Sequence, residues 1–331
     1  MERQKIYIGK SKGVPIYFDT TEALNKHIVL LGSSGSGKSV ETQNIILNLV
    51  KHDKTIVILD IHSVFDEDHI FKPYRENLKK YINQIDEYSC GISCDLFAPV
   101  KFADGTFEKP TDTAGAIVEI IARTTRMGAK QRNILRKAVL AVMNKNSYGK
   151  YGFEAFDYEL EQIGTSDAEE VRDKIYTLTV HNIFHSGCSF IQESKINVLR
   201  LSKFDFQTQE IISEMVLLYL WRMAVTFSFK KNGLFIFVDE FHNLISGKNC
   251  ALNQIAAEGR KFNLNLILAT QQFPSKAQQT AIGFMQSGLT LLFRPCAEQV
   301  NAVAKFIDTD NVKEWAKILK SLGRGEFIAI G

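Results

Sequence analysis

Two rhythms of hydrophobic residues alternate along this chain. Short apolar runs occur at Ile6 to Ile8, Ile16 to Phe18, His27 to Leu31, Thr55 to Leu59, Asn197 to Leu201, Leu234 to Val238, Leu264 to Ala269, Leu289 to Phe293 and Phe327 to Ile330. Their length and β-branched or aromatic content predict strands. Several are apolar at every position, as strands covered on both faces must be, and this predicts a mainly parallel sheet flanked by helices, an α/β architecture. Helical spacing runs over Val40 to Val50, over Thr113 to Lys145 with a break at Gly128, over Ala168 to Val180 and over Ile211 to Phe229. Between Ile61 and Lys195 strand signals thin out, which predicts a mainly helical insertion over 62–195 inside one domain spanning 1–331. The Tyr148-Gly149-Lys150-Tyr151-Gly152 segment reads as a turn within it. The first strand begins almost at once, leaving little room for a separate domain ahead of it.

The first candidate chemistry sits where a strand meets a helix. Gly32-Ser33-Ser34-Gly35-Ser36-Gly37-Lys38-Ser39 follows the apolar run ending at Leu31 and precedes the helical stretch starting at Val40. A loop of this composition turns successive N–H groups inward around a di- or triphosphate, and its glycines permit positive φ and close approach. Ser34, Gly35, Ser36, Gly37, Lys38, Ser39 and Val40 are the expected nucleotide cradle, with Lys38 reaching the β/γ-phosphates and Ser39 taking one coordination site on Mg²⁺. A glycine-serine linker that merely spells the motif would not stand between a buried strand and an amphipathic helix.

The run Leu234 to Val238 ends in Asp239-Glu240. A phosphate-cleaving enzyme needs one carboxylate to hold Mg²⁺ through its water shell and another to activate water, roles that fall to Asp239 and Glu240. A third strand, Leu264 to Ala269, continues through Thr270 to Gln271-Gln272. In a parallel sheet this polar tip lies beside the γ-phosphate, making Gln271 the expected sensor.

Composition narrows the picture without deciding it. The chain has 331 residues, 45% hydrophobic content and a formal net charge of +3. That suffices for a sizeable core, and is too mild a charge to demand nucleic acid. Five irregularly spaced cysteines form neither a secreted disulfide framework nor a zinc site. The N-terminus lacks the apolar core of a signal peptide, and Glu214 and Arg222 interrupt the most hydrophobic stretch, so a cytoplasmic protein without a membrane span is expected.

At this point the residues resemble a known superfamily, the HerA/FtsK ring-shaped DNA-pumping ATPases, and within it the HerA-like branch. The matching segments are 25–39, 56–65, 234–244, 257–272, 287–294 and 322–331, nearly the whole chain. The resemblance implies a RecA-like P-loop fold, ATP and Mg²⁺ as cofactors, and a homohexamer that threads duplex DNA, independent of sequence, through its pore. Each site is then completed by an arginine from the neighbouring copy. Arg260, eleven positions before Gln271 and on the helix after Asp239-Glu240, is the expected finger. Arg294 is a second candidate for phosphate sensing. Asp60 and His62 align with an Asp-Pro-His element of HerA-like proteins, Ile61 replacing the proline. The family usually carries a small β-barrel ahead of the core, used for docking a nuclease; none is expected in this sequence, and the organisation is similar to that of ATPases serving phage-defence effectors.

Arg123, Arg126, Lys130, Arg132, Arg136 and Lys137 gather positive charge around Gly128, enough to grip DNA phosphates without reading bases. The expected function is therefore an ATP-driven DNA translocase serving a nuclease or other effector. A nucleotide-gated assembly subunit and a conjugative coupling ATPase are the alternatives.

Overall fold

A computed structural model describes residues 4–102, 104–227, 229, 232–244, 250–274 and 287–331. The chain forms two compact units: Met1–Asn83 with Gln192–Val198 and Phe229–Gly331, and Gln84–Ile191 with Leu199–Ser228. Residues 62–83 of the expected insertion thus lie with the first unit.

The two earliest apolar runs form strands β1 (Lys5–Ser11) and β2 (Val14–Asp19), a separate antiparallel hairpin. Lys12 and Gly13 close it with φ of 49° and 83°, the left-handed pair that a tight hairpin turn requires.

The first unit is built on an eight-stranded sheet. Its strands are β3 (Ile28–Leu31), β4 (Thr55–Asp60), β5 (Ile82–Ile85), β8 (Ile196–Arg200), β9 (Leu234–Val238), β10 (Leu264–Thr270), β11 (Leu289–Phe293) and β12 (Phe327–Ile330). Their order across is β12-β11-β3-β10-β9-β4-β8-β5. Strand β3 runs parallel to β10 and β11, and β9 parallel to β10 and β4. Strand β11 runs antiparallel to β12. Every residue of β3, β4, β9, β10 and β11 is buried, which explains why these segments carry no polar alternation. Helix α1 (Lys38–Lys51) packs Ile45, Ile46, Leu49 and Val50 into the core beside Ile28, Leu30, Ile56 and Ile58. Ile6 and Ile8 of the hairpin join the same core, and Asn44 of α1 donates to the Tyr7 carbonyl at 2.9 Å. A short helix, α2 (Lys72–Lys79), buries Leu78 there as well.

The second unit is mainly helical. It contains α3 (Pro110–Thr124), α4 (Ala129–Asn144), α5 (Tyr148–Tyr151), α6 (Glu154–Ile163), α7 (Ser166–Val180) and α8 (Phe206–Phe227). The expected turn at Tyr148 is thus the single helical turn α5, ended by Gly152 at a φ of 59°. The rings of Phe97, Tyr148, Phe153, Phe156 and Phe184 pack edge-on or tilted in the interior of this unit. Strands β6 (Ile92–Ser93) and β7 (Phe184–His185) pair in parallel there. Among the described residues no helix is long and apolar enough to cross a membrane.

The nine runs expected to be strands are strands, with ends shifted by a few residues. Strands β5, β6 and β7 were not expected: β5 has the polar centre Asn83-Gln84 of an edge strand, while β6 and β7 are two residues each, too short to show a period.

Candidate active site

Register places the chemistry. Thr270 of β10 pairs with Leu31 of β3, and Val238 of β9 pairs with both Leu268 and Leu59. The residues that follow these strands therefore emerge together at the carboxyl edge of the sheet, where open parallel sheets bind ligands. One cavity of about 140 Å³ at that edge is lined by Ser34, Gly35, Gly37, Lys38, Ser39, Val40, Asp239, Glu240, Gln271 and Arg324.

The loop between β3 and α1 is held by positive-φ glycines and by bonds to the ends of β10 and β11. Gly35 and Gly37 have φ of 72° and 111°, in the region that favours glycine. Gly32 donates to the Thr270 carbonyl at 3.2 Å, and Ser33 donates to the Arg294 carbonyl at 2.9 Å through both N–H and Oγ. Lys38 Nζ folds back onto the carbonyls of Gly32 at 2.5 Å and Ser33 at 3.0 Å. Burial depresses the Lys38 ammonium's proton affinity while Glu240 and Asp239 oppose that shift.

Across the cavity, Glu240 adopts φ 45°, ψ 43°, a left-handed conformation that costs a non-glycine residue roughly 1–3 kcal/mol. Its N–H donates to Asp239 Oδ1 at 3.0 Å. Its Oε2 accepts the Gln271 N–H at 3.1 Å, with Thr270 Oγ1 at 3.4 Å and His242 Nδ1 at 3.2 Å. Burial alone would raise the Glu240 pKa, but the bonds from His242 and Gln271 win and hold it below its ordinary value. Asp239 goes the other way, pushed up to about 6 by burial and then by the adjacent Glu240 carboxylate. A lysine, a serine hydroxyl and an acid whose proton affinity is raised suit a phosphate tail carrying a divalent cation. Among the described residues no group of three or more His, Cys, Asp and Glu could hold a metal, so a cation here would depend on phosphate and water for its remaining ligands. A roomier cleft of about 790 Å³ in the helical unit is lined by Glu154, Asp157, Glu169, Asp173 and Arg172, the last paired with Asp157, leaving a net negative charge unfavourable to phosphate.

Other expected residues stand elsewhere. Arg260 is exposed in a short 3₁₀ turn, Gly259–Phe262, after helix α9 (Ala251–Glu258) and before β10. It therefore precedes the amino end of the strand whose carboxyl end reaches the cavity; seven residues of strand put it about 20 Å from Gln271 in the same chain. The exposed Arg294 meets the loop through its carbonyl. Asp60 is fully buried, and its two oxygens accept the N–H groups of Val64 and Phe65 at 2.8 and 2.9 Å, shaping the loop after β4. Exposed His62 lies near enough to Asp239 to lower its proton affinity. In the basic cluster, Arg123 pairs with buried Glu214, and Arg132 pairs with Glu119 at 3.0 Å, while Arg126, Lys130, Arg136 and Lys137 are exposed.

Sequence reasoning missed Arg324 and His242. Arg324 lines the cavity from the turn before β12, and the next residue, Gly325, donates to the Ser36 carbonyl at 2.8 Å. Arg324 lies in the matching segment 322–331, in the Gly323-Arg324-Gly325 triplet, almost three hundred residues from the loop that lines the same cavity. His242 signals itself by spacing alone, two residues after Glu240.

Known proteins resemble this chain in sequence and in fold. The DNA double-strand break repair helicase HerA of Sulfolobus acidocaldarius is 26% identical over 336 residues, covering 93% of this chain. The chain spans 63% of that relative's length. VirB4 of Thermoanaerobacter pseudethanolicus shares the fold with a TM-score of 0.74 at 15% identity, over 98% of this chain and 93% of its own. The plasmid coupling protein TrwB, solved in complex with ADP and Mg²⁺, gives a TM-score of 0.52 at 12% identity, over 91% of this chain and 78% of its own. The mainly parallel α/β fold is thus shared with VirB4 and TrwB. The family model described as Helicase HerA, central domain, matches residues 6–219, and the chain belongs to that family.

Proposed function

We propose that this chain is an ATP-hydrolysing motor of the HerA type, acting on duplex DNA as a ring of six copies. The observation that carries the reading is the convergence of Lys38, Ser39, Asp239, Glu240 and Gln271 on one cavity at the sheet edge. HerA relatives named for DNA repair, and a shared fold solved with ADP and Mg²⁺, support the nucleotide and the substrate class.

In this reading the inward N–H groups of Ser34 to Val40 bind the phosphates, and Lys38 exchanges its carbonyl partners for phosphate oxygens. Ser39 and Asp239 would hold Mg²⁺, which would supply charge neutralisation to the phosphate tail. Glu240 takes a proton from water as the water oxygen attacks the γ-phosphorus, the bond to the β–γ bridging oxygen breaks, and ADP and phosphate leave. Gln271 orients that water, and Arg324 adds a cation beside the anionic substrate. Arg260, about 20 Å from its own cavity, serves the neighbouring copy's γ-phosphate. The exposed Arg126, Lys130, Arg136 and Lys137 contact DNA phosphates. The boundaries belong to the same proposal, one ATPase domain over 1–331 carrying a helical insertion, with a nuclease or defence effector as its client and the cytoplasm as its compartment.

Native mass measurement with ATP and duplex DNA, paired with a hydrolysis assay, tests the proposal. Six-copy rings with DNA-stimulated hydrolysis support the motor. Slow, DNA-indifferent hydrolysis would favour a nucleotide-gated assembly subunit; a conjugative coupling ATPase is the other alternative, TrwB being described as a conjugative coupling protein.

A further inference from the structure

His242 belongs to no role assigned above, yet it faces the most strained acid of the cavity. It lies in the 3₁₀ turn Phe241–Asn243 that follows Glu240. Its Nδ1 is 3.0 Å from Thr270 Oγ1 and 3.2 Å from Glu240 Oε2. A carboxylate oxygen only accepts, so Nδ1 carries the proton and shares it between the two oxygens. Thr270 is itself fixed: its Oγ1 accepts the Gln272 N–H at 3.0 Å and lies 3.1 Å from the Gln272 carbonyl. The same Glu240 Oε2 takes the Gln271 N–H at 3.1 Å. Three groups from the two strand tips therefore meet on one carboxylate oxygen.

We infer that His242, together with Thr270, is a positioning residue that clamps the Glu240 carboxylate to the tip of β10, coupling the proposed general base to the segment that carries the proposed sensor Gln271. The inference rests on the hydrolytic reading of this cavity. Glu240 needs such a clamp for a physical reason. Its left-handed backbone is strained, and a residue held there keeps its side chain aimed only while surrounding bonds over-determine it. Without the imidazole, Oε2 loses its charge-assisted donor from the β9 side, and the carboxylate is free to leave the position from which it meets water. Because Gln271 grips the same oxygen through its main chain, displacement of that segment by the γ-phosphate moves the base with it.

The predicted signature is a loss of turnover without a loss of binding. His242→Ala lowers kcat by about tenfold to a hundredfold, the scale of a misplaced catalytic group, while the equilibrium Kd for Mg·ATP stays within about twofold. His242→Asn keeps an N–H donor at the Nδ1 position and recovers much of the lost turnover. Thr270→Val, which removes the hydroxyl at equal size, lowers kcat in the same sense, and Thr270→Ser restores it. Thermal melting confirms that each variant is folded. Wild-type kcat in His242→Ala overturns the inference, as does equal slowing by His242→Ala and His242→Asn, which would mean that imidazole packing matters and the donor does not. Glu240→Gln, run alongside, separates the two levels: normal turnover there overturns the hydrolytic reading, whereas normal His242→Ala beside a stalled Glu240→Gln overturns the clamp alone.

Discussion

Single residues in the loop are specified by space as well as by charge. A Cβ on Gly37 would fall 2.9 Å from the Gly325 nitrogen, and its φ of 111° is one that side chains rarely adopt. Gly37→Ala is predicted to destabilise the protein by about 1–3 kcal/mol and to abolish nucleotide binding, measured by thermal melting and nucleotide titration. Arg324→Ala leaves the loop intact and is predicted to weaken ATP binding by about fivefold, the value of roughly 1 kcal/mol for a solvent-exposed charge pair. Unchanged affinity would remove Arg324 from the site. The loop and the Asp239-Glu240 pair were legible in sequence because their chemistry is contiguous. Arg324 and His242 were not, since one reaches the cavity through a fold-level return of the chain and the other acts by a side-chain bond that no hydrophobic period encodes.

At the amino end of the sheet, opposite the cavity, one buried histidine joins two strands and a helix. His27, at the head of β3, accepts the Leu266 N–H of β10 through Nδ1 at 3.0 Å and meets the Ala256 carbonyl of α9 through Nε2 at 3.2 Å. Burial lowers its pKa from 6.5 to about 4, so the folded protein keeps it neutral while the unfolded chain takes up a proton. The sign is fixed: its contribution is complete above about pH 6.5, falls as pH drops toward 4, and stays flat below, with roughly 3 kcal/mol at stake. Urea unfolding of wild type and His27→Gln between those limits measures it, and parallel pH slopes would contradict the assignment. At this scale the sequence was read well where burial on both faces leaves unbroken apolar runs, as in β3, β9 and β10. It was read poorly at β5, where an edge strand's polar centre removes the signal. Arg260 was expected on a helix and lies in the 3₁₀ turn after α9, next to Gly259, where a Cβ would sit 2.5 Å from the Leu264 carbonyl oxygen.

For the whole molecule, the proposed ring makes two commitments. Arg260→Ala should bind ATP yet lose about a thousandfold in hydrolysis, and mixing it with Lys38→Ala copies should restore part of the activity, because an intact pocket and an intact finger then meet at some interfaces. No restoration would place the arginine outside the trans site. Charge reversal of Arg126, Lys130, Arg136 and Lys137 should weaken DNA binding equally across sequences and flatten its salt dependence, the slope falling by roughly one for each phosphate that is no longer neutralised. An unchanged slope would move the DNA path elsewhere.

The claim beneath all of this is that the cavity between the loop and the two strand tips cleaves ATP. Quantifying ATP bound and phosphate released by wild type, Lys38→Ala and Glu240→Gln in the same preparation tests it most directly. The account predicts binding and release by wild type, neither by Lys38→Ala, and retained ATP without release by Glu240→Gln; phosphate release by Glu240→Gln at the wild-type rate would contradict it.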